Sequence, residues 1–230
     1  MEIIITDLTR FSNPEIVCIA GINPDTNECI RPLPYIKFSE CKRLNILPGN
    51  IIDGNFSRSA NIGNPHSEDY DYSGKLKRIR ICESDEFQDI LEADLSLSIS
   101  EGFNYAFPEK GKVIPNDSKP TKSIITLKIS TSNIEIVKDG FKEGNIRLHL
   151  LDNDGKRFSF LSITDLGFYK YAMNHYHDAN FPNIINNFIR QQDTVYLRVG
   201  LGREYQGGFW LQINGIYTFP NYDTEIRSYS

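Results

Sequence analysis

Ile16-Val17-Cys18-Ile19-Ala20-Gly21-Ile22, the turn Asn23-Pro24-Asp25-Thr26-Asn27 and the returning stretch Glu28-Cys29-Ile30-Arg31-Pro32-Leu33 decide the fold class. The first run is apolar at consecutive positions, as expected of a strand covered on both faces. Turn-forming residues separate it from the second run, so the three pieces read as a hairpin that stops at Pro32 and Pro34. Upstream, Ile3 to Thr6 is another short apolar run, and downstream Pro48-Gly49-Asn50 leads through Ile51 and Ile52 into a strand near Phe56. Residues 58–74 are polar and rich in turn formers, which places a long surface loop there, the kind of segment that often carries function. Lys75 to Cys82 alternates again, and Asp85 with Gln88 has capping spacing for a short helix over 86–92.

The second half repeats the habit. Ser123 to Ile129 and Asn133 to Val137 read as strands, and Asn145 to Leu150 and Arg157 to Ser162 flank Asp154-Gly155, a strong hairpin signal. Ser162 and Asp165 have capping-box spacing before a helix from about Leu166 to His175, and a second short helix fits 183–190. Val195 to Val199 and Phe209 to Ile216 are strands joined by a connection holding Gly200, Gly202, Gly207 and Gly208. Many short strands with few helices point to small barrels or a sandwich. Residues 100–122, with Gly102, Pro108, Gly111, Pro115 and Pro120, read as the domain boundary, dividing the chain into 1–120 and 121–230. The halves share no residue-by-residue repeat.

Composition agrees: 14 Phe and 12 Tyr against 2 Met and one Trp in 230 residues favour strands over helices. The net charge of −5 is uneven, with 13 basic and 19 acidic residues up to residue 120 (−6) and 12 against 11 thereafter (+1). A generally basic nucleic-acid coat is excluded, so phosphate contacts must be local. Cys18, Cys29, Cys41 and Cys82 form no Cys-x-x-Cys, which suits reduced thiols in a cytoplasmic protein, and Glu2 and Asp7 interrupt the apolar start that a leader would need. No apolar run reaches the ~18 residues of a membrane helix, so no membrane partner is expected.

Val17 to Ile22 with Ile30-Arg31-Pro32, the loop Pro65-His66-Ser67-Glu68-Asp69, Arg198-Val199-Gly200-Leu201-Gly202-Arg203 and Trp210 to Pro220 together resemble a prokaryotic family described as the dual OB-containing domain. The resemblance spans nearly the whole chain. It implies a mainly β protein of two small OB-like β-barrels in tandem, each with one or two short helices, in a cytoplasmic bacterial setting with a nucleic-acid-binding role. It also singles out Arg31, for which a buried ion pair is the competing reading. OB barrels often bind oligonucleotides, although fold alone does not establish that use.

Alternation places Phe209, Leu211 and Ile213 on one face of the last strand and Trp210, Gln212 and Asn214 on the other, with Tyr196 and Arg198 joining the second set from its partner. Rings that stack on bases, an arginine and two amides are the chemistry of a single-strand binding face, with Arg203 in the adjoining connection. The alternative is that this face is buried between barrels, with Trp210 as the anchor. His66, Glu68 and Asp69 form a second candidate site, in either an acid-base role or as an ordered loop. Lys75, Lys77, Arg78 and Arg80 read as a phosphate-contacting edge or an ordinary charged edge strand. The chain has no zinc-deaminase or His-Glu-x-x-His pattern, no Walker motif and no Gly-x-Ser-x-Gly, so neither metal nor cofactor is expected, and Cys18 in an apolar strand reads as inert packing. Three functions remain open: noncatalytic binding of single-stranded DNA or RNA, interaction with another protein subunit, and an enzyme acting on a nucleotide or nucleic acid through the His66 loop.

Overall fold

The computed structural model describes residues 1–60, 63–118, 120–221 and 229. In chain order the first strands are β1 (Glu2–Arg10), β2 (Ile16–Ile22), β3 (Cys29–Leu33) and β4 (Ile36–Lys37), followed by helix α1 (Phe38–Arg43). β5 (Asn50–Arg58), β6 (Asp69–Ile81), α2 (Ser84–Glu92), β7 (Leu95–Ser96), α3 (Ile99–Gly102) and β8 (Val113–Pro115) come next. The remainder is β9 (Ile124–Ile129), β10 (Ile134–Lys138), β11 (Ile146–Leu151), β12 (Arg157–Ile163), α4 (Leu166–Asn174), α5 (Asn183–Arg190), β13 (Thr194–Leu201) and β14 (Gly208–Phe219). The fold is mainly β, in two sheets, as expected. Among the described residues no helix is long and apolar enough to cross a membrane.

The first sheet closes on itself. β1 pairs with both β2 and β5, and the path runs β1-β5-β6-β3-β2 back to β1, with β4 on the outer edge of β2. All contacts in this ring are antiparallel except β3 with β6. The second sheet runs β10-β11-β12-β14-β13-β9. Only the 3-10 turn Thr131–Asn133 separates β9 from β10, so these two pieces act as one interrupted strand at both ends of that path. Its one parallel contact within that path is β12 with β14. Numbered within each half, both sheets therefore have the order one, two, three, five, four, one, with the parallel pair between third and fifth strands. α1 and α4 with α5 occupy the same place, between third and fourth strands. The two halves repeat in topology, although no sequence repeat was visible.

β7 and β8, which precede residue 120, pair with β9 and β14 of the second sheet. Ile99, Phe103, Phe107 and Ile114 pack into the second core beside Leu127, Leu148, Leu161 and Leu197. The first core is built from Ile3, Ile5, Leu8, Ile19, Ile30 and Ile52. A third cluster joins the halves: Ile4, Ile22 and Ile51 meet Phe87, Ile90 and Leu91 of α2 and Tyr196, Tyr217 and Phe219 of the last strands. Tyr217 also donates its hydroxyl to the Thr6 carbonyl at 2.6 Å.

Several local expectations are corrected. The α2 cap is Glu83, whose side chain and that of Glu86 form the reciprocal box, instead of Asp85 with Gln88. α4 is capped by Asp165 accepting from the Phe168 amide, and Ser162 belongs to β12. The surface loop is shorter than residues 58–74, because β6 begins at Asp69 and pairs with both β5 and β3.

Candidate functional site

The alternation that grouped Tyr196, Arg198, Trp210, Gln212 and Asn214 on one face holds in β14 only as far as Ile213, beyond which both faces are buried. The first half and α2 cover that end. Tyr196 is wholly buried, its hydroxyl donating to Glu92 and accepting from Gln88 Nε2 at 3.0 Å. Arg198 is buried too, with Nε on Asp7 Oδ2 at 2.9 Å, Nη1 on Thr126 Oγ1 at 2.7 Å and Nη2 on Cys29 Sγ at 3.4 Å. These two residues are interface core, and neither offers an open binding surface. Trp210 is 37% exposed and lies outside the junction, so it is not the anchor between barrels. The face is thus split among three environments.

Arg31, His66, Arg203, Gln212 and Asn214 do converge. They line one cavity of about 320 Å³ between the halves, together with Asp7, Thr9, Arg10, Phe11, Cys18, Tyr35 and Gly202. β3 delivers Arg31, whose Nε contacts Asp69 Oδ1 at 2.6 Å and whose Nη1 donates to Ser123 Oγ at 3.2 Å. Arg203, from the β13–β14 connection, meets the same carboxylate through Nη1 at 2.8 Å and Nη2 at 3.2 Å, and its Nε donates to the Tyr35 hydroxyl at 2.9 Å. Burial works against the ionised carboxyl of Asp69, yet Arg203 and Arg31 hold it below the usual carboxylate range.

Glu68 straps the halves together. Its Oε1 accepts from the Ser123 and Ile124 amides at 2.7 and 3.1 Å, and its Oε2 from the Ser123 hydroxyl at 2.9 Å. In the His66 loop, then, Glu68 and Asp69 hold structure, while His66 faces the cavity. His66 is 7% exposed and meets Phe209 edge-on, with ring centroids 5.8 Å apart. Burial, aided by Arg31 and Arg203, pushes its pKa down to about 3, which leaves the imidazole neutral. Neither ring nitrogen has a hydrogen-bond partner among the described residues, nor do Arg31 Nη2 and Asp7 Oδ1. Each unpartnered buried polar group costs about 1–3 kcal/mol, so their concentration in one cavity marks it as the candidate site of this half. Burial raises the Cys18 thiol to about 11, in keeping with an inert role. Among the described residues no three His, Cys, Asp or Glu side chains are placed to hold a metal ion.

Trp210 belongs to a second, open groove of about 370 Å³, lined also by Lys112, Asp139, Phe141, Lys142, Arg147, Phe160 and Ser162. Phe141 is 87% exposed and touches Phe160 edge-on at 5.5 Å, and His149 lies 4.6 Å from Phe160 on its other contact. Trp210 Nε1 donates to the Tyr205 carbonyl at 3.1 Å, which fixes the indole. Arg147 pairs with Asp139 at 2.7 Å, while Lys112 donates to the Phe160 carbonyl at 3.2 Å. Three cations against one carboxylate leave the groove basic within an acidic chain. Sequence reading missed Phe141, Lys142, Arg147 and Phe160. A usable signal was the Asp139-Gly140-Phe141-Lys142 run, an aromatic and a base in a turn. The Lys75–Arg80 cluster is partly committed elsewhere, with Arg80 on Glu86 at 2.7 Å and Arg78 on Asn50.

A five-stranded ring in this order, a helix between third and fourth strands, and the same arrangement twice in one chain define a tandem OB-fold module. OB barrels take ligands on the face of strands two and three and on the loops joining strands one to two and four to five. In the second half those positions are β11, β12, residues 139–145 and the β13–β14 connection; the first three give Asp139, Phe141, Lys142, Arg147, Phe160 and Ser162 to the groove, while the connection gives Gly202 and Arg203 to the cavity. In the first half those positions give Cys18 and Ala20 of β2, Arg31 of β3, and Phe11 and His66 from the connections, all on the wall of the cavity between the halves. The model of the family described as the dual OB-containing domain matches residues 1–216, and the chain belongs to that family. Comparison with curated proteins gives no match.

Proposed function

We propose that the protein is a noncatalytic module that binds single-stranded nucleic acid in the open groove of its second OB-like barrel. The observation that carries this reading is the groove itself: Trp210, Phe160 and Phe141 interleaved with Lys112, Lys142 and Arg147 at the ligand-binding position of the fold. Stacking on exposed rings contributes about 1–3 kcal/mol per base without regard to sequence, and the cations supply phosphate contacts despite the net charge of −5. Arg31, Arg203, Gln212 and Asn214 lie on the cavity instead and do not enter this strand path. DNA or RNA would satisfy this chemistry equally.

The test is titration of fluorescent oligothymidylate and oligouridylate at low and moderate salt, following Trp210 quenching. Binding should weaken steeply with salt, and Trp210→Ala should reduce affinity about 5- to 100-fold, the equivalent of one lost stack. Unchanged affinity in Trp210→Ala and in Lys142→Ala would remove the groove from consideration. Absence of any oligonucleotide binding at low salt would shift the reading to a protein-interaction module using the same exposed rings.

A further inference from the structure

We propose that the cavity between the barrels is a pocket for a single guanine-type base, distinct from the strand groove. The cavity of about 320 Å³ lies at the lower end of small-molecule sites, enough for one nucleoside. Its unsatisfied atoms specify a pattern. Arg31 Nη2 is a donor held in place by the other two guanidinium nitrogens, on Asp69 and Ser123. Asp7 Oδ1 is an acceptor, because Oδ2 takes up Arg198 and the Thr6 hydroxyl at 2.7 Å. His66 is neutral and offers one N–H and one lone pair.

A guanine presents its ring N–H on the pairing edge, its carbonyl at the corner that both edges share, and a ring nitrogen acceptor beside that carbonyl on the major-groove edge. The carbonyl takes the Arg31 hydrogen, the ring N–H donates to Asp7, and the imidazole N–H of His66 serves the ring nitrogen. Adenine reverses the first two, setting donor against Arg31 and acceptor against Asp7. A plain inorganic anion satisfies Arg31 but meets the Asp7 carboxylate. Phe11 and Tyr35, with centroids 4.6 Å apart, supply aromatic surface on the cavity wall. Gln212 and Asn214, from β14, face the same space. Such a base could arrive as a free nucleoside or as one nucleotide of a strand; the chemistry recognised is the same.

Calorimetric titration of the full chain with guanosine, adenosine, 1-methylguanosine and inorganic phosphate tests the pocket without relying on any variant. Guanosine should bind about 10- to 100-fold more tightly than adenosine, and 1-methylguanosine, which lacks the ring N–H, should lose most of that affinity. Phosphate should not compete. His66→Leu should weaken guanosine at least several-fold without lowering the melting temperature, since it removes two unpartnered nitrogens. Trp210→Ala should leave guanosine binding intact while weakening oligothymidylate, so the pocket and the groove can fail separately. An oligothymidylate bearing one guanine, assayed in Trp210→Ala, distinguishes a strand source from a free nucleoside. Equal affinity for guanosine and adenosine, binding of phosphate in preference, or no binding of either guanosine or the guanine-bearing oligonucleotide would each overturn the proposal.

Discussion

Acidification should destabilise this protein through His66. The imidazole is neutral in the folded state, where its pKa is pushed from 6.5 to about 3, and it gains a proton on unfolding at any pH between those values. The unfolded state therefore binds more protons in that window, and stability falls as pH falls from about 6.5 towards 3. One pKa unit corresponds to about 1.36 kcal/mol, so the ceiling is about 4–5 kcal/mol. Between about pH 7.5 and about pH 5 the linkage relation gives a loss of about 2 kcal/mol from this group alone. The groups facing His66 are Arg31 and Arg203, which oppose its protonation, and Asp69, which favours it but is already shared by both arginines. Urea unfolding of wild type and His66→Leu at the two pH values isolates the effect, because other titrating groups cancel in the difference. The leucine variant should lose about 2 kcal/mol less than wild type on acidification. Equal losses in the two proteins would refute the burial of a neutral imidazole in the cavity.

Arg198→Met should cost about 3–5 kcal/mol in chemical denaturation, since it strands the buried Asp7 carboxylate, while a double variant with Asp7→Leu should recover part of that loss. Glu68→Ala removes three acceptor contacts that strap the His66 loop to Ser123 and Ile124 and should lower stability by about 1–3 kcal/mol, with amide hydrogen exchange rising at Ser123 and Ile124. Gly200→Ala would drive a Cβ into the Asn214 amide, so it should destabilise the fold and disturb the cavity wall while leaving the Trp210 groove able to quench on oligonucleotide. Arg147→Ala should flatten the salt dependence of strand binding by roughly one counterion in a log–log plot.

Strands were legible wherever apolar periodicity was strong. Ile16–Ile22, the hairpin across Asp154-Gly155 and both C-terminal strands lie where their residues put them. Local polar chemistry was less so: Glu83 competes successfully with Asp85 for the α2 cap, because the reciprocal bond with Glu86 satisfies two backbone amides at once. Which face of β13 and β14 meets water could not be read from alternation. Tyr196 and Arg198 stand on the side opposite Leu197 and Val199, and only the packing of α2 and β1 against that side decides that it is buried. Tertiary contact likewise brings Arg31, His66 and Arg203 together from three distant segments, so their individual candidacy was visible in sequence and their shared cavity was not. The closing partner of Arg198, Asp7, carried no sequence signal beyond a charge inside an apolar run.

The two barrels share one topology but present the same functional position differently, and β14 explains how. Trp210 lines the groove of the second barrel, whereas Gln212 and Asn214, two and four residues further along the same side of the strand, line the cavity between the halves. At a rise of about 3.4 Å per residue, the two sites are separated by roughly 7 Å of backbone. The first barrel sits over the far end of β14 because Arg198 and Tyr217 bind Asp7 and Thr6 there, so the strand that gives Trp210 to the groove also gives Gln212 and Asn214 to the cavity beside the first barrel.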